Sequence, residues 1–180
     1  MNSNYFTTAL HTLCQQPHLI SDAFLTKEKN NAGIYAIRFF INGTPRIVVI
    51  DDFLPFSEES GEVGFMRSKN GDEIWMCLVE KAWAKLHGGY CMVGGGEVGV
   101  VLSALTNQPT EHFTHRHKPD QLWAKMKVAS RLKGLLACES ARGTFNLVQA
   151  VYEVATCGKI EKLVKVRNSM GKLKSKKPMR

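Results

Sequence analysis

Two runs of strand-favouring residues face each other across an Asn-Gly pair, and few features restrict a chain's fold more. The first run is Gly33-Ile34-Tyr35-Ala36-Ile37-Arg38-Phe39-Phe40-Ile41, the turn is Asn42-Gly43, and the second run is Pro45 to Asp51. A type I′ turn needs positive φ at both central positions, which Asn and Gly tolerate best, so this segment predicts an antiparallel hairpin. A second hairpin is predicted from Phe145 to Thr156 and Ile160 to Arg167, joined at Cys157-Gly158. Between and before them the apolar period changes to 3.6. Phe6, Ala9, Leu10 and Leu13 mark a first helix with Asn2 or Ser3 as its cap and Pro17 as its stop. Trp75, Leu78, Val79, Ala82, Trp83 and Leu86 form the stripe of another, ended by Gly88-Gly89. A shorter helix should run from Gly94-Gly95-Gly96 to Leu105. One more should start at Pro119-Asp120-Gln121, with Leu122, Trp123, Met126, Ala129, Leu132, Leu135 and Leu136 as its inner face. Residues Phe53 to Gly71 read as an irregular loop. Helices mixed with antiparallel hairpins make the expected fold class α+β.

The chain's 180 residues suffice for one domain or two small lobes. No apolar run approaches the roughly 20 residues needed to span a bilayer. Met1-Asn2-Ser3-Asn4-Tyr5 shows no basic segment followed by an apolar one, so a secretory leader is not expected. The five cysteines, Cys14, Cys77, Cys91, Cys138 and Cys157, are odd in number and form no CxxC. Reduced thiols in an intracellular, cytoplasmic setting fit better than a disulfide framework or a zinc site. The net charge of +8 is concentrated in Lys159 to Arg180, which holds nine basic residues and one acid, Glu161. Lys172, Lys174, Lys176, Lys177 and Arg180 are therefore the candidates for contact with a polyanion, whether RNA, an acidic protein tail or an anionic membrane surface. The tail lacks aromatics, so base stacking is not expected from it.

Other candidate sites have plainer alternatives. Gly94-Gly95-Gly96 is followed by Glu97-Val98, not by the Lys and Ser/Thr of a phosphate loop, and a turn is the expectation. His112, His115 and His117 could gather a transition metal, but a polar linker explains them as well. Cys14 is expected to be a buried structural thiol and Ser3 a helix cap.

Several stretches together resemble the protease core of the calpain family. Val48-Val49-Ile50-Asp51-Asp52-Phe53-Leu54-Pro55 is similar to the family's V-V-x-D-D-x-L-P. Glu73-Ile74-Trp75 through Leu78-Val79-Glu80-Lys81-Ala82-Trp83-Ala84-Lys85 to Gly88-Gly89-Tyr90 is similar to E-F-W-x-x-L-L-E-K-A-Y-A-K-x-x-G-S-Y. Leu163 to Gly171 is similar to L-V-x-L-R-N-P-W-G, with Ser169 and Met170 in place of Pro and Trp. The family's cysteine motif G-D-C-W-F-L-x-A-L falls on Asn2-Ser3-Asn4-Tyr5-Phe6-Thr7-Thr8-Ala9-Leu10, with its register set by Pro17-His18-Leu19-Ile20.

The resemblance implies a papain-like core, with residues 1–108 as a first lobe, 109–171 as a shortened second lobe and 172–180 as a basic tail. It places the catalytic cysteine at Asn4. The motif G-H-A-Y-S-V falls on Gln149-Ala150-Val151-Tyr152-Glu153-Val154, which places the catalytic histidine at Ala150. Asn168 keeps the asparagine that orients that histidine, while the oxyanion glutamine would lie ahead of Met1. A carboxamide offers no thiolate and a methyl group no base. The expectation is a catalytically inactive calpain-like pseudoprotease, a structural or adaptor subunit held by protein partners in a larger complex, with a cytoskeletal or ciliary array among its settings. The alternatives are the family's calcium-dependent cysteine endopeptidase activity and polyanion binding through the tail. No cofactor is expected beyond a vestigial calcium ion at Glu73, whose carboxylate would equally suit the helix N-terminus it opens.

Overall fold

A computed structural model describes residues 4–58, 61–66, 73–114, 116–140 and 143–168. Its contacts divide the chain into two compact units, Met1–Thr110 and Glu111–Arg180. Helices and antiparallel strands are mixed throughout, as an α+β chain requires.

In the first unit, helix α1 (Asn4–Leu13) and helix α2 (Pro17–Ala23) are consecutive. Pro17 does stop the first helix, but it also begins the second, where its fixed φ and missing N–H cost nothing. The predicted hairpin is present as strands β1 (Ile34–Ile41) and β2 (Thr44–Asp51), in register from Ile34 opposite Asp51 to Ile41 opposite Thr44. Asn42 (φ 50°) and Gly43 (φ 76°) supply the turn. Two-residue strands β3 (Phe56–Ser57) and β4 (Glu62–Val63) pair inside the segment expected to be irregular. Helix α3 (Trp75–Leu86), a 3₁₀ turn (Tyr90–Val93) and helix α4 (Val98–Thr106) complete the unit.

Helix α3 is more deeply placed than a single stripe implies. Cys77, Leu78, Val79, Glu80, Ala82, Trp83 and Ala84 are all buried. Trp83 is the ring around which the core is arranged, with Phe6 at 5.8 Å, Phe39 at 5.6 Å and His87 at 4.1 Å between ring centres. Phe6, Leu10, Leu13, Ile37, Phe39, Val79 and Val101 are fully buried and come from α1, β1, α3 and α4.

The second unit is thinner. Helix α5 (Pro119–Arg131) is followed by strands β5 (Ala137–Glu139), β6 (Phe145–Thr156) and β7 (Lys159–Asn168), in sheet order β5-β6-β7 and antiparallel throughout. Cys157 (φ 47°) and Gly158 (φ 78°) make the turn of the second hairpin. The expected inner face of α5 is corrected here. The helix stops at Arg131, none of its residues is fully buried, and Leu132 is 77% exposed. Polar links hold it to the sheet instead. Trp123 Nε1 donates to Glu153 at 2.7 Å, Lys127 pairs with Glu153 at 2.6 Å, and Lys162 pairs with Asp120 at 2.8 Å.

Candidate functional site

Asn4 opens α1 and is half-buried. The residues after it fix that end of the helix. Tyr5 is buried, its hydroxyl donates to the Val93 carbonyl at 3.2 Å, and it accepts the Trp83 indole N–H at 3.2 Å. A Cβ at Gly96 would lie 2.6 Å from Tyr5 Cε2, so the third glycine of the Gly run lets an aromatic ring lie against the backbone. The capping expectations at Asn2 and Ser3 fall outside the described residues.

Two of the sequence stretches meet in this unit. Lys81 of α3 donates to Asp51 Oδ1 and to the Phe53 carbonyl, and Lys85 donates to the Val49 carbonyl at 2.8 Å. The Lys81 hydrogen bond, helped by the Phe53 amide, holds the Asp51 carboxyl below the usual carboxylate range. The lysines of the α3 motif thereby clamp the Val-Val-Ile-Asp strand.

In the second unit, Ala150 lies on β6 opposite Lys165, just after a bulge between Val148 and Ala150. Asn168 ends β7 opposite Asn146. Asn168 lies three positions beyond Lys165, about 10 Å along the strand. Alternation puts residues 165 and 168 on opposite faces of the sheet. The sheet therefore does not bring Ala150 and Asn168 together. The bulge at Gln149 was not legible in the residue pattern, and it sets this register.

Glu73 is exposed just ahead of α3, and its Oε2 accepts the Trp75 indole N–H at 3.3 Å. Calcium takes six to eight oxygens. Among the described residues no group of three or more His, Cys, Asp or Glu side chains is placed to hold a metal ion. A carboxylate engaged with an indole does not fit that ion by itself. Of the three histidines, His115 lies outside the described residues, and His117 Nδ1 accepts the Thr114 N–H at 3.1 Å within its own turn. That loop is tied to α5 by Lys125, which pairs with Glu111 at 2.7 Å and lies 4.8 Å from the centre of the Phe113 ring. Cys14, expected to be buried, is exposed. Helix α1 ends at Leu13, so Cys14 stands in the turn beyond the last buried residue. Cys77 is the buried thiol, and its Sγ–H donates to the Met66 carbonyl at 3.0 Å. Lys172, Lys174, Lys176, Lys177 and Arg180 lie outside the described residues.

Sequence reasoning passed over Glu80. It is 3% exposed, and its Oε2 accepts the Met66 N–H at 2.7 Å. Burial, reinforced by the Glu80 charge and Cys77, pushes the neighbouring Tyr90 hydroxyl up to about 12. The signal available was a glutamate next to Val79 on the apolar side of a helix whose lysines, Lys81 and Lys85, lie elsewhere on it.

A family model described as calpain family cysteine protease matches residues 1–177. The chain is 32% identical over 180 aligned positions to the calpain-type cysteine protease DEK1 of Zea mays, covering 91% of this chain and 8% of that protein. It is 33% identical over 162 positions to calpain-8 of Mus musculus, covering 81% of this chain and 23% of the relative. The calpain-2 catalytic subunit of Mus musculus is 30% identical over 162 positions, with the same shares. The chain thus spans less than a quarter of the length of these relatives.

Proposed function

The chain belongs to the calpain family of cysteine proteases, and from that premise we propose that it is a non-catalytic member serving as a structural or adaptor subunit. One observation carries this. The two positions at which the family's nucleophile and base are expected hold Asn4 and Ala150. Acyl transfer by a cysteine protease needs a thiolate, a base to manage its proton, a group orienting that base and an oxyanion donor. Asn4 supplies no thiolate. Ala150 supplies no base, and Asn168 is on the other face of the sheet from the Ala150–Lys165 pair. Loss of one triad member costs several powers of ten in rate, and losses within a triad are far from additive. What remains is a scaffold with an aromatic core and an open three-stranded sheet, suited to holding another chain.

Incubation of the full chain with casein and calcium, with and without a cysteine-directed inhibitor, tests the first half of the proposal. Hydrolysis at the level of the buffer blank is expected, and inhibitor-sensitive cleavage would overturn it. Cross-linking followed by mass spectrometry tests the second half. Recurrent cross-links from the β7 lysines, Lys159, Lys162 and Lys165, to the same partner chains are expected, and cross-links confined to this chain would count against an adaptor role.

A further inference from the structure

We infer that Gly64-Phe65-Met66 is a strap that opens from helix α3 while the first unit stays folded, and that its opening is felt at the Asn4 end of α1. The strap stands whether or not the chain is catalytic. Backbone strain is the first observation. Phe65 has a φ of 67°. A bulky aromatic residue in the left-handed region is an outlier, kept only where its surroundings over-determine it.

Three ties do so. The Met66 N–H donates to Glu80 Oε2 at 2.7 Å, and the Met66 carbonyl accepts from the Cys77 Sγ–H at 3.0 Å. The Phe65 ring stacks on Tyr90, with ring centres 4.2 Å apart and planes 12° from parallel. All three partners belong to α3 or to the 3₁₀ turn that follows it. A thiol is a weak donor and a stacked pair adds modestly to its buried area, so the carboxylate is the strong tie. On its other side the strap hangs from the two-residue pairing of β3 with β4 and from the Gly64 N–H, which donates to the Pro55 carbonyl at 2.7 Å. Of the three strap residues only Met66 is buried. Strain opposed by a few polar ties and little apolar burial describes a segment at the low end of local stability.

What lies beneath the strap fixes the consequence of opening. Cys77 loses its acceptor and Glu80 its backbone donor, and water reaches both. Burial, with the Glu80 charge adding to it, holds the Cys77 thiol above its ordinary range, so the closed strap keeps that thiol protonated and slow to react. The effect also travels along the turn. Tyr90 begins the 3₁₀ turn, and Val93, which ends it, accepts the Tyr5 hydroxyl at its carbonyl. Tyr5 follows Asn4 and in turn accepts the Trp83 indole N–H. Phe65, Tyr90, Val93 and Tyr5 thus form one contiguous run of contacts reaching residue 4. Release of the strap takes Tyr90 out of its stack and slackens the turn that holds Tyr5.

Alkylation of the full chain by iodoacetamide, read for each thiol by peptide mass spectrometry, tests this. Cys14 and Cys91 are exposed and serve as references. The opening equilibrium read from Cys77 labelling should be far more favourable than that read from hydrogen exchange of the slowest α3 amides, and low urea should hardly change it, because little surface is uncovered. Phe65→Ala keeps the strained φ and loses the stack, so it should speed Cys77 labelling about fivefold. Phe65→Gly, at ease at that φ, should speed it less. In Phe65→Ala the NMR signal of the Trp83 indole proton should move, while circular dichroism stays that of the parent. Cys77 labelled only as fast as global unfolding allows, with the urea dependence of global unfolding, would overturn the strap, and this series on the parent chain decides even where a variant fails to fold. Labelling no slower in the glycine variant than in the alanine one would overturn the role of strain. A Trp83 signal unmoved by Phe65→Ala would overturn the link to α1. None of these readings depends on proteolysis, so failure of the strap leaves the non-catalytic proposal standing.

Discussion

A carboxylate taken out of water costs several kcal/mol unless the protein replaces its solvation. Glu80 shows how one helix meets that cost, since the Met66 N–H donates to its Oε2 while the Met66 carbonyl accepts from Cys77. Removing the acceptor leaves a buried N–H without its partner. Glu80→Ala should therefore destabilise the protein by about 1–3 kcal/mol, and Glu80→Gln, which keeps an acceptor oxygen, by clearly less. Urea denaturation of both variants checks this, and equal losses would show that the charge, not the hydrogen bond, matters. Tyr90 belongs to the same cluster and adds a pH signature. Its folded pKa is raised to about 12 from the ordinary 10.0, so its contribution is fully present below pH 10 and is lost as pH rises toward 12. Burial raises Tyr5 as well, so absorbance at 295 nm should show a late-ionising phase to which both tyrosines contribute, and Tyr90→Phe should shrink it. At the Asn4 and Ala150 positions the outcome expected of restoration is negative. Asn4→Cys with Ala150→His should give no turnover of a fluorogenic peptide, because an imidazole at 150 would stand beside Lys165 with Asn168 on the other face. Turnover well above the parent chain would show that the register is not what prevents catalysis.

At the scale of elements, the features legible in the residues are those with local causes. Asn42-Gly43 and Cys157-Gly158 place both hairpin turns because positive φ at consecutive residues demands them. The 3.6 period of Trp75 to Leu86 places α3 because its stripe is long and closed by glycines. What was not legible depends on tertiary partners. Nothing local says that α5 would stop at Arg131 and leave Leu132 exposed while Trp123 spends its N–H on Glu153, or that a bulge at Gln149 would set the β6–β7 register. Cys14 was misjudged for a similar reason, since its exposure depends on where α1 stops. The docking of α5 is electrostatic, and its pH dependence follows. Lys127, and then the Trp123 indole, hold the Glu153 carboxyl below its ordinary range, and Lys162 does the same for Asp120. Lowered folded values mean that these links contribute fully above the ordinary carboxylate pKa and are lost as pH falls through the folded values. The NMR signal of the Trp123 indole proton should move toward its free position on acidification below about pH 4. Glu153→Gln should weaken that response, and added salt should weaken the links at neutral pH, since both acids are at the surface. An indole signal unmoved between pH 6 and pH 2 would refute the link.

The two units differ in how much apolar surface they bury, and at the scale of the whole molecule this divides stability unevenly. The first unit holds Phe6, Leu10, Leu13, Ile37, Phe39 and Val101 out of water entirely, around a Trp83 that is 3% exposed. Among the described residues of the second unit, only Leu147 and Val148 are buried hydrophobics. Unit Glu111–Arg180 comprises 70 positions, a length at which a single core contributes only a few kcal/mol even when well filled. Long-range burial of this kind is not written in periodicity. The runs of β6 and β7 read as good strands, yet a strand's alternation cannot say whether a partner face exists to cover it. Local unfolding free energies should follow the burial. Hydrogen exchange read by mass spectrometry should find the amides of α1, β1, α3 and α4 the slowest, with those of β6–β7 exchanging through openings of much lower free energy. Trp83→Ala, which removes the ring that Phe6 and Phe39 share, should cost about 3–5 kcal/mol and erase protection throughout the first unit. Exchange in β7 as slow as in α3 would show that protection does not follow apolar burial in this chain.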